Sequence, residues 1–140
     1  MPYNLRLVAL LFLAALITAP ISLYVIHRQS VTETWTTAEQ LTHGDAARGK
    51  LAITRYGCGA CHEIEGVKAA HGEVGPALDG IAERVEIAGK LSNQPDNMIR
   101  WIRRPQEVAP GNGMPDLGVS DRDGRDIAAY LYTLRSLTPP

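Results

Sequence analysis

Cysteine is scarce in this chain: Cys58 and Cys61 are the only two in 140 residues. A disulfide between them would span just two intervening residues, and so small a loop removes little entropy from the unfolded chain. Charge of one sign is missing as well, since 14 basic residues face 15 acidic ones for a net charge of −1. No basic stripe marks a nucleic-acid partner, and no strong field would steer a highly charged one. There is no strand-like alternation of apolar and polar residues and no internal repeat. With 45% hydrophobic residues, the length accommodates one modest globular domain.

What is present is unevenly distributed. From Leu7 to Ile26 the chain reads LVALLFLAALITAPISLYVI, without a charged residue. About 20 such residues as a helix cross a hydrocarbon core of roughly 30 Å. A secretory signal peptide has a shorter apolar core and a small-residue cleavage site. Here the nearest candidate, Thr18-Ala19, runs into Pro20, and no cysteine follows to take a lipid. Residues 1–26 are therefore expected to be a retained single-pass anchor in a lipid bilayer, with Pro20 removing one helical hydrogen bond. Arg6 and Arg28 flank the span and leave orientation undecided by charge. Residues 27–43, rich in Thr, Ser and Gln, read as a linker with at most a short helical piece near Ala38 to Leu41, and Trp35 within it receives no role.

From Gly44 the pattern turns globular. Asp45 is placed to cap a helix running to Arg55, with Ala46, Gly49 and Ile53 on one stripe. Residues 63–80 are glycine-rich and irregular, Ile81 to Val85 suits a short helical turn, and Asp96 to Arg103 suits a helix ended by Pro105. Ser120, with Asp123 three residues later, opens a last helix whose apolar face is Ile127, Tyr130, Leu131 and Leu134.

The cysteines lie between these pieces, in RYGCGACHEI. A disulfide leaves His62 unexplained. Structural zinc needs four ligands, and His43 and His71 do not supply a matching second pair. A redox dithiol is expected beside a βαβ pattern, which is lacking. Covalent haem needs what is here: two thiols spaced to reach two vinyl groups, and an imidazole on the next residue to bind the iron. Attachment of one haem c through Cys58 and Cys61, with His62 as axial ligand, fits best, and it puts the domain on the periplasmic side of a bacterial cytoplasmic membrane. For the sixth position, His27 lies at the membrane edge, His43 precedes the first helix, His71 is near the attachment side, and Met98 has core spacing with Ile99 and Ile102. Met114, between Gly113 and Pro115 in a loop with little apolar content, is the favoured ligand, since His/Met is a common electron-transfer pair.

GDAARGKLAITRYGCGACH, GEVGPALDGI, GNGMPDLGVS and DIAAYLYTL follow one another between Gly44 and Leu137. They resemble, in order, the first helix with its attachment site, the loop below the haem, the methionine loop and the last helix of class I (mitochondrial-type) cytochromes c, specifically small bacterial membrane-anchored ones. The resemblance implies an all-α fold of three to five helices around one covalent haem, over residues 44–140. It implies that Gly49 lets the first helix cross the last beside Tyr130, that the Pro76 carbonyl takes the His62 ring N–H, and that Trp101 or Arg100 holds a haem propionate. Ile53 departs from the family, which usually has an aromatic there. The implied function is electron carriage in a respiratory chain rather than enzymatic catalysis. The implied partner is a membrane-bound complex, a haem-copper terminal oxidase and/or a quinol-oxidising complex. A haem enzyme or sensor with a displaceable sixth ligand is the competing reading.

Overall fold

An uninterrupted apolar stretch favours helix, and the computed structural model, which describes residues 3–135, opens with one: α1, Tyr3–Thr42. Residues 1–2 and 136–140, and with them the outer ends of the expected anchor and domain and Leu137, lie outside the described residues. The chain divides between Thr34 and Trp35 into two units. In the first, α1 is long and apolar enough to cross a membrane, its leucines and isoleucines are exposed, and Pro20 lies inside it without ending it.

The stretch expected to be a linker, 27–43, is helical through Thr42. The Thr-rich composition does not break the helix because the hydroxyls bond back within it: Thr32 to the Arg28 carbonyl at 2.9 Å, Thr34 to Ser30 at 2.9 Å, and Thr42 to Ala38 at 2.8 Å. From Trp35 onward α1 belongs to the globular unit. Ala38 and Thr42 are fully buried, and the Trp35 ring meets Tyr130 edge-on, with centroids 6.3 Å apart. The compact unit thus starts ahead of Gly44, because a helical stripe at 35, 38 and 42 gains more by packing than by solvation.

The second unit is built on α2 (Ala46–Arg55) and α5 (Asp121–Thr133). Each begins as expected: the Asp45 carboxylate accepts the Arg48 N–H at 2.8 Å, and the Ser120 hydroxyl accepts the Asp123 N–H at 3.1 Å. The two helices cross at Gly49, where any Cβ would run into the Asp126 carbonyl. Close approach is therefore the reason for glycine there. Beside the crossing, Asp126 is buried and accepts from Arg48 Nε at 2.8 Å, Arg48 Nη2 at 3.0 Å and the Asp45 N–H at 2.7 Å. α3 (Pro95–Arg103) packs on α5 through Met98, Ile99 and Ile102.

Three small elements were not expected. Cys58–Ala60 forms a 3-10 turn, Pro105–Val108 forms a short helix, α4, and β1 (Glu86–Ile87) pairs with β2 (Leu91–Ser92) as an antiparallel hairpin. Strands of two residues are too short to write an alternation into a sequence. Where a short helical turn was expected over Ile81 to Val85, Ile81–Glu83 forms a 3-10 turn. The all-helical class otherwise holds.

Candidate haem attachment site

The last turn of α2 delivers the chain to Gly57, whose φ of 71° redirects it into the cysteine turn. The Cys61 and His62 N–H groups both bond the Cys58 carbonyl, at 3.2 and 3.0 Å, so one tight turn carries both thiols and the imidazole. Tyr56 braces this end of α2, donating its hydroxyl to Asp123 at 2.8 Å while Arg55 pairs with the same carboxylate at 2.7 Å.

The two thiols are unjoined and half-buried. Burial pushes the Cys58 thiol up, an effect its backbone hydrogen bond only partly offsets. A thiol held protonated is a poor redox nucleophile, since reactive dithiols need a lowered pKa. Among the described residues no group of three or more His, Cys, Asp or Glu side chains gathers, which leaves the zinc reading without its remaining ligands.

His62 is held in one orientation. Its Nδ1–H donates to the Pro76 carbonyl at 2.8 Å, the contact implied by the family resemblance. That bond sets the tautomer and leaves Nε2 with its lone pair free. Gly75 lies against the ring, where an added Cβ would overlap Cε1 and come within 2.6 Å of Nδ1 and 3.0 Å of Nε2. The Gly75 N–H is tied to the Cys61 carbonyl at 2.7 Å and the Gly72 N–H to Gly59 at 3.1 Å, so the 72–76 loop is zipped to the turn it supports.

The other expected residues fall in different settings. Met98 is buried in the α3 core. Met114 is half-buried on an irregular loop. His27 and His43 are exposed, and exposed His71 bridges back to Glu63. Trp101 packs half-buried against the core. Arg100 pairs with Glu107 at 3.2 Å, so a propionate there would compete with that carboxylate. In the sequence, Gly75 is marked by nothing but its position next to Pro76.

The donor set fits haem c: two free thiols on one turn and an imidazole oriented to present one nitrogen. Fold and motif together define a c-type haem protein. The family model for cytochrome c matches residues 46–135, and the chain belongs to the cytochrome c family, which implies a covalently bound haem c and electron transport. Cytochrome c2 of Rhodopila globiformis is 32% identical over 106 residues, covering 66% of this chain and 95% of that protein. Cytochrome c oxidase subunit 2 of Alkalihalophilus pseudofirmus is 36% identical over 98 residues, 69% of this chain and 28% of the subunit. The Bacillus subtilis subunit is 27% identical over 89 residues, 62% of this chain and 25% of its own. The chain thus spans about a quarter of the length of these oxidase subunits. No solved structure gives a significant match.

Proposed function

We propose that this chain is a membrane-anchored monohaem cytochrome that carries single electrons in a respiratory chain and delivers them to a haem-copper terminal oxidase, as a subunit or a tethered shuttle. The observation that carries the reading is the His62 ring, fixed on the Pro76 carbonyl one residue after a pair of free thiols. When bound, haem c supplies a one-electron iron couple. Cys58 and Cys61 would hold it through thioether bonds, and His62 Nε2 and the soft Met114 sulfur would ligate its iron, which would favour the ferrous state and a high potential. Trp101 or Arg100 would hold a propionate. Leu7 to Ile26 anchors the chain in the bacterial cytoplasmic membrane, with residues from His27 onward on the periplasmic side.

The oxidase as partner is supported by the similarity to two oxidase subunits. A quinol-oxidising complex on the donor side is consistent with a tether, which raises the local concentration to roughly millimolar without any new contact. Visible spectra of the reduced protein with and without carbon monoxide test the carrier role. A six-coordinate carrier barely reacts, whereas ready uptake would mean an open iron and a sensor or enzyme. Gentle detergent extraction of native membranes tests the partner: co-migration of the covalent haem with an oxidase supports it, and co-migration with an unrelated complex refutes it.

A further inference from the structure

Residues 109–120, which include Met114, form neither helix nor strand. A ligand on such a loop needs its backbone polar groups fixed by something else. Two amide side chains supply the bonds. Gln106, on α4, donates from Nε2 to the Asn112 carbonyl at 2.9 Å and to the Met114 carbonyl at 2.7 Å, while its Oε1 accepts the Gly111 N–H at 3.0 Å. Asn112 accepts the Met114 N–H on Oδ1 at 2.7 Å and donates from Nδ2 to the Pro105 and Ala109 carbonyls at 2.9 and 2.7 Å. Both backbone groups of Met114 therefore end on these two side chains. The clamp is grounded, because Pro105 is fully buried. Beyond Met114 the Asp116 carboxylate accepts the Gln106 N–H at 3.3 Å and closes the far side.

We propose that Gln106 and Asn112 are positioning residues for the Met114 thioether, an inference that rests on Met114 being the sixth ligand. They act through the backbone of Met114 and not on the iron. A thioether is a weak axial ligand, so the bound state depends on how little ordering remains to be done when the sulfur arrives. Losing the hydrogen bonds of either amide, each of ordinary net strength, raises the population of the detached loop roughly tenfold or more.

The test uses the full haem-loaded chain in detergent, comparing Gln106→Leu, Asn112→Ala and Asn112→Asp with Met114→Ala and Met98→Leu. The readouts are the rate of carbon monoxide uptake by the reduced protein and the midpoint potential. Gln106→Leu and Asn112→Ala are expected to take up carbon monoxide about tenfold faster than wild type, or more, and to shift the potential downward. Asn112→Asp, which keeps an oxygen for the Met114 N–H, should recover part of the loss, and Met98→Leu should change neither readout. Wild-type rates and potentials in both amide variants, with Met114→Ala opening the iron, would overturn the proposal and leave the ligand intact. An unaltered Met114→Ala would overturn the ligand assignment and this inference with it. If Gln106→Leu yields no haem-loaded protein, Gln106→Glu, which keeps the acceptor for Gly111 and loses both donors, decides in the same way.

Discussion

Replacing Gly75 with alanine should disturb His62 selectively. The new Cβ would overlap Cε1 of the His62 ring and sit 2.6 Å from Nδ1 and 3.0 Å from Nε2. Non-bonded carbon atoms need about 3.5 Å, so the ring or the loop must give by about 1 Å. The loop is poorly placed to do so, because the Gly75 N–H is tied to the Cys61 carbonyl at 2.7 Å. Gly75 does not have a positive φ, so the penalty is steric and not torsional. A ring displaced by that much stretches the 2.8 Å bond from Nδ1 to the Pro76 carbonyl past the limit of a useful hydrogen bond. Losing that bond costs about 1 kcal/mol and relieving the overlap about 1–3 kcal/mol, for a total of about 2–4 kcal/mol. With His62 as the proposed iron ligand, losing the support of its ring also weakens that ligation, by roughly 10–100-fold as for other supported metal ligands. Visible and electron paramagnetic resonance spectra of the haem-loaded protein, with its midpoint potential, read the change directly. Gly89→Ala is the control: its φ of 62° makes alanine strained, but nothing lies within 4 Å, so it should destabilise by about 1–2 kcal/mol without altering the spectrum. A Gly75→Ala protein with wild-type spectrum, potential and stability would refute the account of how His62 is held.

The acid limb of stability should depend on Asp126. Burial alone would raise its pKa, but the hydrogen bonds from Arg48 and the Asp45 N–H outweigh burial and hold the carboxyl below its usual range. A lowered folded pKa means that its stabilisation is present above about pH 4, the unfolded value, and is lost as pH falls through the folded one. Denaturant titrations from pH 7 downward should therefore show Asp126→Asn less stable than wild type at neutral pH, with the gap closing in acid; a constant gap would contradict this. Two truncations test the start of the domain. A chain beginning at Ser30 should keep the stability of the globular unit. One beginning at His43 loses Trp35, Ala38, Thr42 and the Glu39 carboxylate that accepts the Ala46 N–H at 3.0 Å, and should be less stable by roughly 2–4 kcal/mol, and so melt earlier. Equal melting would return residues 35–42 to the role of linker. Haem staining after denaturing electrophoresis should survive in wild type and be reduced or abolished in Cys58→Ala and Cys61→Ala; loss in wild type would exclude thioether attachment.

Chemistry carried by adjacent residues was legible in the sequence alone. The spacing of Cys58, Cys61 and His62, the run from Leu7 to Ile26, and the caps at Asp45 and Ser120 are local patterns, whose groups act on one another within one turn or one helix. The helical stripe at Trp35, Ala38 and Thr42 has the same i, i+3, i+7 spacing as Ala46, Gly49 and Ile53. Thr and Gln dilute it to the composition of a tether, and it is tertiary contact, such as that of the Trp35 ring edge-on to Tyr130, that makes it worth burying. The hairpin at Glu86 to Ser92 was invisible for want of length. The rest was decided by contacts between residues far apart in the chain. Gly75 is needed because the His62 ring folds back onto it, Asp126 is charged and buried because Arg48 and Asp45 converge on it, and the Met114 loop has its shape because two amides reach across it. Such contacts leave no period in the sequence, because the partner of each group is set by the path of the backbone and not by its neighbours.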